Sequence, residues 1–361
     1  MLHFTQFLIL TLLLSCAQLI AEDKIITDQF ARISPEQAGY DSEVLEKLTQ
    51  HLEQSGSSSM LLIHDGQVFY EWGDIYKTHL IHSVRKSLLS GLMGILYDQN
   101  KLPLDKSLAA LNADDAPMKL TEQEKQATVA MILKSRSGIY TPSTAESYGM
   151  TAGKPERGSY KPDEHYYYNN WDFNYAGHLF ELISKQSIFD AFDKYFAKPL
   201  GMQQFNNKQT RIDLPFDGPL PDADAIYQYE LSKSLYPAYH FRMSTHDLAL
   251  YGQLYMNHGE WQGKQLLSKE WIDLATKAYS VTDPKYDLGY GMMWKVVIND
   301  PDDTSRNSFY HTGLGVHMLG VYPKHKLVMV HRVDTEADEV TFRNRDLYPV
   351  IRMMHQARKQ K

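Results

Sequence analysis

The chain has one cysteine, Cys16, in 361 residues, and that scarcity removes whole classes of chemistry. A lone thiol in the first 21 residues supports no disulfide framework, no cysteine-ligated zinc and no thiol catalysis in the rest of the chain. No H-E-x-x-H string offers a histidine zinc site, so no metal or other cofactor is expected. No G-x-S-x-G string supplies the strand-to-helix serine elbow of a Ser-His-Asp hydrolase. Basic charge is also in short supply. The formal net charge is −7, with no block of Lys and Arg, so nucleic acid is not an expected partner. Internal repeats and low-complexity segments are absent.

The first 21 residues contain no Lys, Arg, Asp or Glu, so the net charge belongs wholly to residues 22–361. Phe7 to Leu14 is an apolar run trailed by small residues, shorter than a membrane span and matching the hydrophobic region of a secretory signal. Residues 1–21 are therefore expected to direct export, to a bacterial periplasm. Two exits compete. One is cleavage after Ala21; the other is lipid attachment at Cys16, within a Leu13-Leu14-Ser15-Cys16 string similar to a bacterial lipobox. A membrane contact is expected only for the lipidated form.

The remaining 340 residues, 43% of the whole chain being hydrophobic, suffice for a large core or two domains. Three strings carry chemistry. In Ser83-Val84-Arg85-Lys86 a hydroxyl and an amine stand three residues apart, which puts both on one face of a helix beginning there. An amine activates a serine only when burial or positive neighbours lower its pKa. The uncharged run Ser87 to Leu96 fits that demand, and Gly91 and Gly94 within it point to close helix packing. At the helix start, free backbone N–H groups favour developing negative charge, half of an oxyanion hole. An S-x-x-K match alone has little specificity, and an ordinary N-cap is the plain alternative for Ser83.

The second string is Tyr168-Asn169-Asn170, where a phenol can carry protons and an amide can orient the lysine. With 24 tyrosines in the chain, Tyr167 fits equally well on the residues alone, and aromatic packing explains most of these rings. The third is His311-Thr312-Gly313-Leu314, among C-terminal strand candidates. There the glycine permits close approach, a strand N–H at Leu314 can complete the oxyanion hole, and His311 can offer a hydrogen bond or charge.

In their order and spread these strings resemble the penicillin-recognising serine hydrolases, the group of class C β-lactamases, D,D-carboxypeptidases and related esterases and amide hydrolases. The resemblance implies Ser83 as nucleophile, Lys86 as base, Tyr168 as proton carrier, and Asn170, His311, Thr312, Gly313 and Leu314 as substrate-side groups. It favours Tyr168 over Tyr167 because relatives carry a glycine nine residues after the motif tyrosine, matched by Gly177. Ser135 to Tyr140 is similar to the Thr-Ser-Gly loop of such proteins. Many relatives have lysine where His311 stands, and a neutral imidazole attracts a carboxylate less well than an ammonium. The resemblance therefore implies an esterase or amidase, exported if the leader is read correctly, acting through a Ser83 acyl-enzyme on a small ester, amide or peptide-like substrate. A β-lactamase or D,D-carboxypeptidase is the first alternative, and a non-catalytic penicillin-binding-like sensor the second.

Periodicity predicts a helix over 41–54, two strands over 60–72 around an Asp65-Gly66 turn, strand character over 76–82, and the Ser83 helix. It predicts mostly helix over 100–285, then strands at 291–298, 308–312, 316–322 and 327–333 and a last helix at 342–358. The expected fold is α/β of the α+β type, like that of β-lactamases and transpeptidases. Residues 22–99 and 286–361 form one antiparallel sheet from both chain ends, flanked by helices, and 100–285 form a mostly helical insert.

Overall fold

The computed structural model describes residues 29–299 and 307–359; the leader, with the signal and Cys16 expectations, lies outside them. Fifteen strands occur among the described residues: β1 (Ala31–Arg32), β2 (Ser59–His64), β3 (Gln67–Gly73), β4 (His79–Leu80), β5 (Gln209–Asp213), β6 (Ala225–Tyr229), β7 (Ala238–Met243), β8 (Glu260–Trp261), β9 (Lys264–Gln265), β10 (Ser280–Asp283), β11 (Leu288–Tyr290), β12 (Lys295–Val297), β13 (Ser308–Gly313), β14 (His317–Tyr322) and β15 (Leu327–Arg332). Nine form the main sheet, ordered β1-β3-β2-β15-β14-β13-β12-β11-β10. Both chain ends thus meet where β2 pairs antiparallel with β15, with Leu62 opposite Met329 and Leu61 opposite Val330.

Alternation along these central strands explains the layering, because successive side chains point to opposite faces. Leu61, Ile63, Val328 and Val330 join one core with the helix Arg85–Asp98 and the helix Thr245–Met256. Met60, Leu62, Leu327 and Met329 join the other, under the helices Ser42–Ser55 and Asn344–Gln356. Asp41 caps the first of those helices by accepting from the Glu43 N–H, and Gly56 closes it at φ 84°.

The helix Arg85–Asp98 is buried almost all round, and its glycines allow it. A Cβ on Gly91 would lie 2.3 Å from Tyr251 Oη, and one on Gly94 2.3 Å from Trp271 Cδ1. The long segment expected to be mostly helical holds the helices Asn170–Ser184 and Thr245–Met256, and also β5, β6 and β7, which with β4 from before the segment form a second sheet, β4-β7-β6-β5. Its strands are short and only partly apolar, and the parallel β5–β6 pair is joined by a Pro- and Asp-rich crossover. One continuous core runs from Ile63 through Phe192 and Tyr251 to Val330, so packing crosses the expected boundaries at 99 and 286. The strand expected over 291–298 is broken: Gly291 N–H donates to the Trp294 carbonyl, forming a turn between β11 and β12. Among the described residues no helix is long and apolar enough to cross a membrane.

Candidate active site

Ser83 sits in a single 3-10 turn, His82–Val84, that runs directly into the helix Arg85–Asp98. His82, immediately before it, adopts φ 47°, a left-handed conformation that a non-glycine residue keeps only when its surroundings hold it. They do: His82 Nε2 bonds with Thr335 Oγ1 at 2.8 Å, and its ring stacks on His317 at 5.4 Å. The chain entering the turn is pinned by the fully buried Arg332, which donates to the carbonyls of His79 (2.9 Å) and Met243 (2.6 Å) and to His317 Nδ1 (3.1 Å). β13 crosses the turn closely. A Cβ on Gly313 would fall 2.4 Å from the Ile81 carbonyl oxygen, so only glycine lets strand and turn approach this far.

Lys86 Nζ donates to Ser83 Oγ at 2.8 Å. The amine is completely buried, 4.9 Å from the ring centroids of both Tyr168 and Phe173. Desolvation, with the positive charges of Arg85 and Lys295 added, pushes its pKa well below the ordinary lysine value. A neutral amine carries a lone pair that can accept the serine proton.

Tyr168 is set by the residue after it. Asn169 caps the helix Asn170–Ser184 by accepting from Trp171 N–H at 3.2 Å, donates from its side chain to the Ile139 carbonyl at 2.6 Å, and donates its own N–H to Ser135 Oγ at 3.1 Å. The 135–140 loop is therefore the cradle of the Tyr168 segment. The Tyr168 phenol is buried; burial raises its pKa, and the nearby Ser83 hydroxyl and Arg85 charge oppose that rise without the phenol completing a well-formed hydrogen bond. The Tyr167 hydroxyl instead donates to the Met150 carbonyl.

Ser83, Tyr168, Thr312, Gly313 and Leu314 line one cavity of about 670 Å³, together with Arg85, His240 and Lys295. A larger open groove of about 810 Å³ lies at the other end of the helix, around Asp98 and Glu270, away from this serine and lysine. Two expected residues stand elsewhere. Asn170 makes no hydrogen bond to Lys86; its amide donates to the Ala145 carbonyl at 2.5 Å and so braces the cavity wall. His311 is fully buried behind Tyr168, with Nδ1 bonded to the Thr312 carbonyl at 3.0 Å, and desolvation and nearby positive charges keep its ring neutral.

Two cations were not read from the sequence as site residues. Arg85 is buried with Nε and Nη2 unpartnered and its guanidinium 5.2 Å from the Tyr239 ring centroid. Lys295, at the first position of β12 opposite Tyr310, donates from Nζ to Thr312 Oγ1 at 2.7 Å. Arg85 was visible inside S-x-x-K; Lys295 belongs to no string, and sheet pairing alone brings it in.

The family model described as Beta-lactamase matches residues 45–347. The chain belongs to the β-lactamase family. Solved structures of similar fold agree with this membership. They include an octameric penicillin-binding protein homologue from Pyrococcus abyssi, 20% identical over 82% of this chain and 74% of that one, with TM-score 0.60. A β-lactamase from Mycobacterium bovis is 15% identical over 87% and 99%, with TM-score 0.56. A D-stereospecific amidohydrolase from Streptomyces is 15% identical over 86% and 97%, with TM-score 0.60. Among curated proteins none matches the sequence significantly. Membership of the β-lactamase family supports a serine hydrolase in general.

Proposed function

We propose that the protein is an exported serine esterase or amidase that works through a Ser83 acyl-enzyme. The observation that carries this reading is the 2.8 Å contact between Ser83 Oγ and the buried amine of Lys86 inside a substrate-sized cavity. Lys86, its proton affinity lowered by burial and the neighbouring Arg85 and Lys295 charges, takes the hydroxyl proton as Oγ attacks the scissile carbonyl. Tyr168, protonated at neutral pH, relays the proton from Lys86 to the departing group; in the second half the same pair draws a proton from the attacking water and returns it to Ser83 Oγ as the acyl–oxygen bond breaks. Backbone N–H groups of Ser83 and Leu314 receive the oxyanion, each such donor contributing about 3–4 kcal/mol in hydrolases of this kind of chemistry. Turnover of p-nitrophenyl esters and anilides by the wild type, lost in Ser83→Ala, is the expected result; equal turnover by both proteins would refute it.

A second reading, β-lactam or D,D-peptide hydrolysis, is favoured by one observation. The ammonium absent at His311 is supplied to the same strand by Lys295 through Thr312, and adding a penicillin to the substrate panel separates the two.

A further inference from the structure

The two N–H groups assigned to the oxyanion, those of Ser83 and Leu314, come from distant parts of the chain, and one side chain touches the neighbour of each. Thr335 lies in the connection between β15 and the helix Asn344–Gln356. Its hydroxyl is 2.8 Å from Nε2 of His82, the residue before Ser83. Its methyl lies against Gly315, the residue after Leu314, where a Cβ would fall 2.1 Å from Thr335 Cγ2. His82 at φ 47° needs such a restraint, and Gly315 at φ 80° supplies the glycine that the close approach requires.

The residues on either side fasten Thr335 in place. Asp334 accepts from the Glu336 backbone N–H at 3.0 Å and from Lys77 Nζ at 2.9 Å. Glu336 accepts from the Leu80 backbone N–H at 2.9 Å and from Arg242 Nε on β7 at 2.9 Å. Three consecutive residues thus grip the chain at Lys77, Leu80 and His82, along the run that ends at Ser83. Hydrogen bonds to charged groups outweigh neutral ones, so Asp334 and Glu336 keep this strap docked when the Thr335 hydroxyl is removed.

We propose that Thr335 is a positioning residue that sets the spacing of the two oxyanion donors. Its hydroxyl holds His82, whose peptide carries the Ser83 N–H, and its methyl holds the turn that carries the Leu314 N–H. Donors act at 2.7–3.1 Å from the oxygen, so a small parting of the two halves weakens both. The oxygen gains its full negative charge only in the tetrahedral state, so the effect falls on kcat and not on ground-state binding. The inference rests on the Ser83 reading.

The test compares wild type, Thr335→Val, Thr335→Ser and Thr335→Ala in turnover of p-nitrophenyl acetate and in calorimetric binding of phenylboronic acid and benzamide. Ser83 Oγ adds to the boron, its proton passing to Lys86, and the anionic tetrahedral adduct places a boron hydroxyl oxygen where the oxyanion forms. Benzamide is neutral and planar. Thr335→Val and Thr335→Ala should lower kcat and boronic acid affinity by about 10-fold or more, with KM and benzamide affinity within about twofold of wild type. Thr335→Ser, which keeps the hydroxyl, should recover most of the loss. The ratio of the two affinities is read within one protein, so it does not depend on the fraction folded. An unchanged ratio in Thr335→Val, or a Thr335→Ser variant no better than Thr335→Val, would overturn the proposal. Wild-type turnover with no such split removes this inference alone. A wild type that neither hydrolyses the ester nor takes boron at Ser83 removes the hydrolase reading and this inference with it.

Discussion

Lys86 and Ser83 are hydrogen-bonded at 2.8 Å, while the other close neighbours of the Lys86 amine include two aromatic faces and two cations. A lysine so placed is poorer at holding a proton than any exposed lysine. Its pKa is held well below the ordinary 10.5. Reaction at Ser83 should therefore rise with pH as Lys86 loses its proton and level off well below pH 10.5. The rate of fluorophosphonate labelling against pH checks this, and a rate still climbing at pH 10 would mean an ordinary lysine. Lys86→Met should lower labelling by about 10²–10⁴-fold.

The two neighbouring tyrosines should separate cleanly. The Tyr168 hydroxyl is buried and makes no complete hydrogen bond, so Tyr168→Phe should leave thermal stability unchanged or raised while turnover falls by about 10²–10⁴-fold. Tyr167→Phe loses the bond to the Met150 carbonyl and should cost about 1 kcal/mol of stability with turnover largely kept. Steady-state rates and denaturation midpoints of both variants decide the register of the motif tyrosine.

Gly313→Ala would drive a methyl group to 2.4 Å from the Ile81 carbonyl oxygen and 3.1 Å from His82 Cβ. Relief requires β13 and the Ser83 turn to part. The expected cost is about 1–3 kcal/mol of stability, and the labelling rate of Ser83 should fall in protein that is still folded by circular dichroism.

The histidine cluster behind the turn contributes to the response to acid. His82 and His331 have pKa values lowered from 6.5 to about 4, chiefly by burial. Above pH 6.5 both folded and unfolded chains leave them neutral. Between pH 6.5 and about 4 the unfolded chain binds the additional protons, so stability should fall as pH falls through that window and these two groups should add no further loss below it. Melting temperatures from pH 7 to pH 4 test the sign. Arg332→Met, which strands the carbonyls of His79 and Met243, should cost about 1–3 kcal/mol for each acceptor left unpaired, as read by denaturant unfolding at neutral pH.

How much of this was legible in the sequence depends on the range of each interaction. The β2–β3 hairpin and the Ser83–Lys86 pair are local, set by a period of two, an Asp-Gly turn and an i, i+3 spacing, and the residues announced them. The Tyr168 segment needed the family resemblance, because adjacent tyrosines fit one pattern. Lys295 could not be read: it reaches Thr312 through the pairing of Lys295 with Tyr310 across a long connection, and a lysine at a strand end carries no motif. The strands β5, β6 and β7 were missed because β5 and β6 are partly exposed and the connection between them is long. Asn170 was expected on the lysine, but the helix it opens turns its amide to the Ala145 carbonyl.

The central claim is that Ser83 becomes covalently acylated with Lys86 as its base. The most direct measurement is intact-protein mass after exposure to a fluorophosphonate, combined with peptide mapping, for wild type, Ser83→Ala and Lys86→Met. The account predicts one adduct per wild-type chain, mapped to Ser83, none on Ser83→Ala and a much slower one on Lys86→Met. An adduct on another residue, or equal labelling of all three proteins, would contradict it.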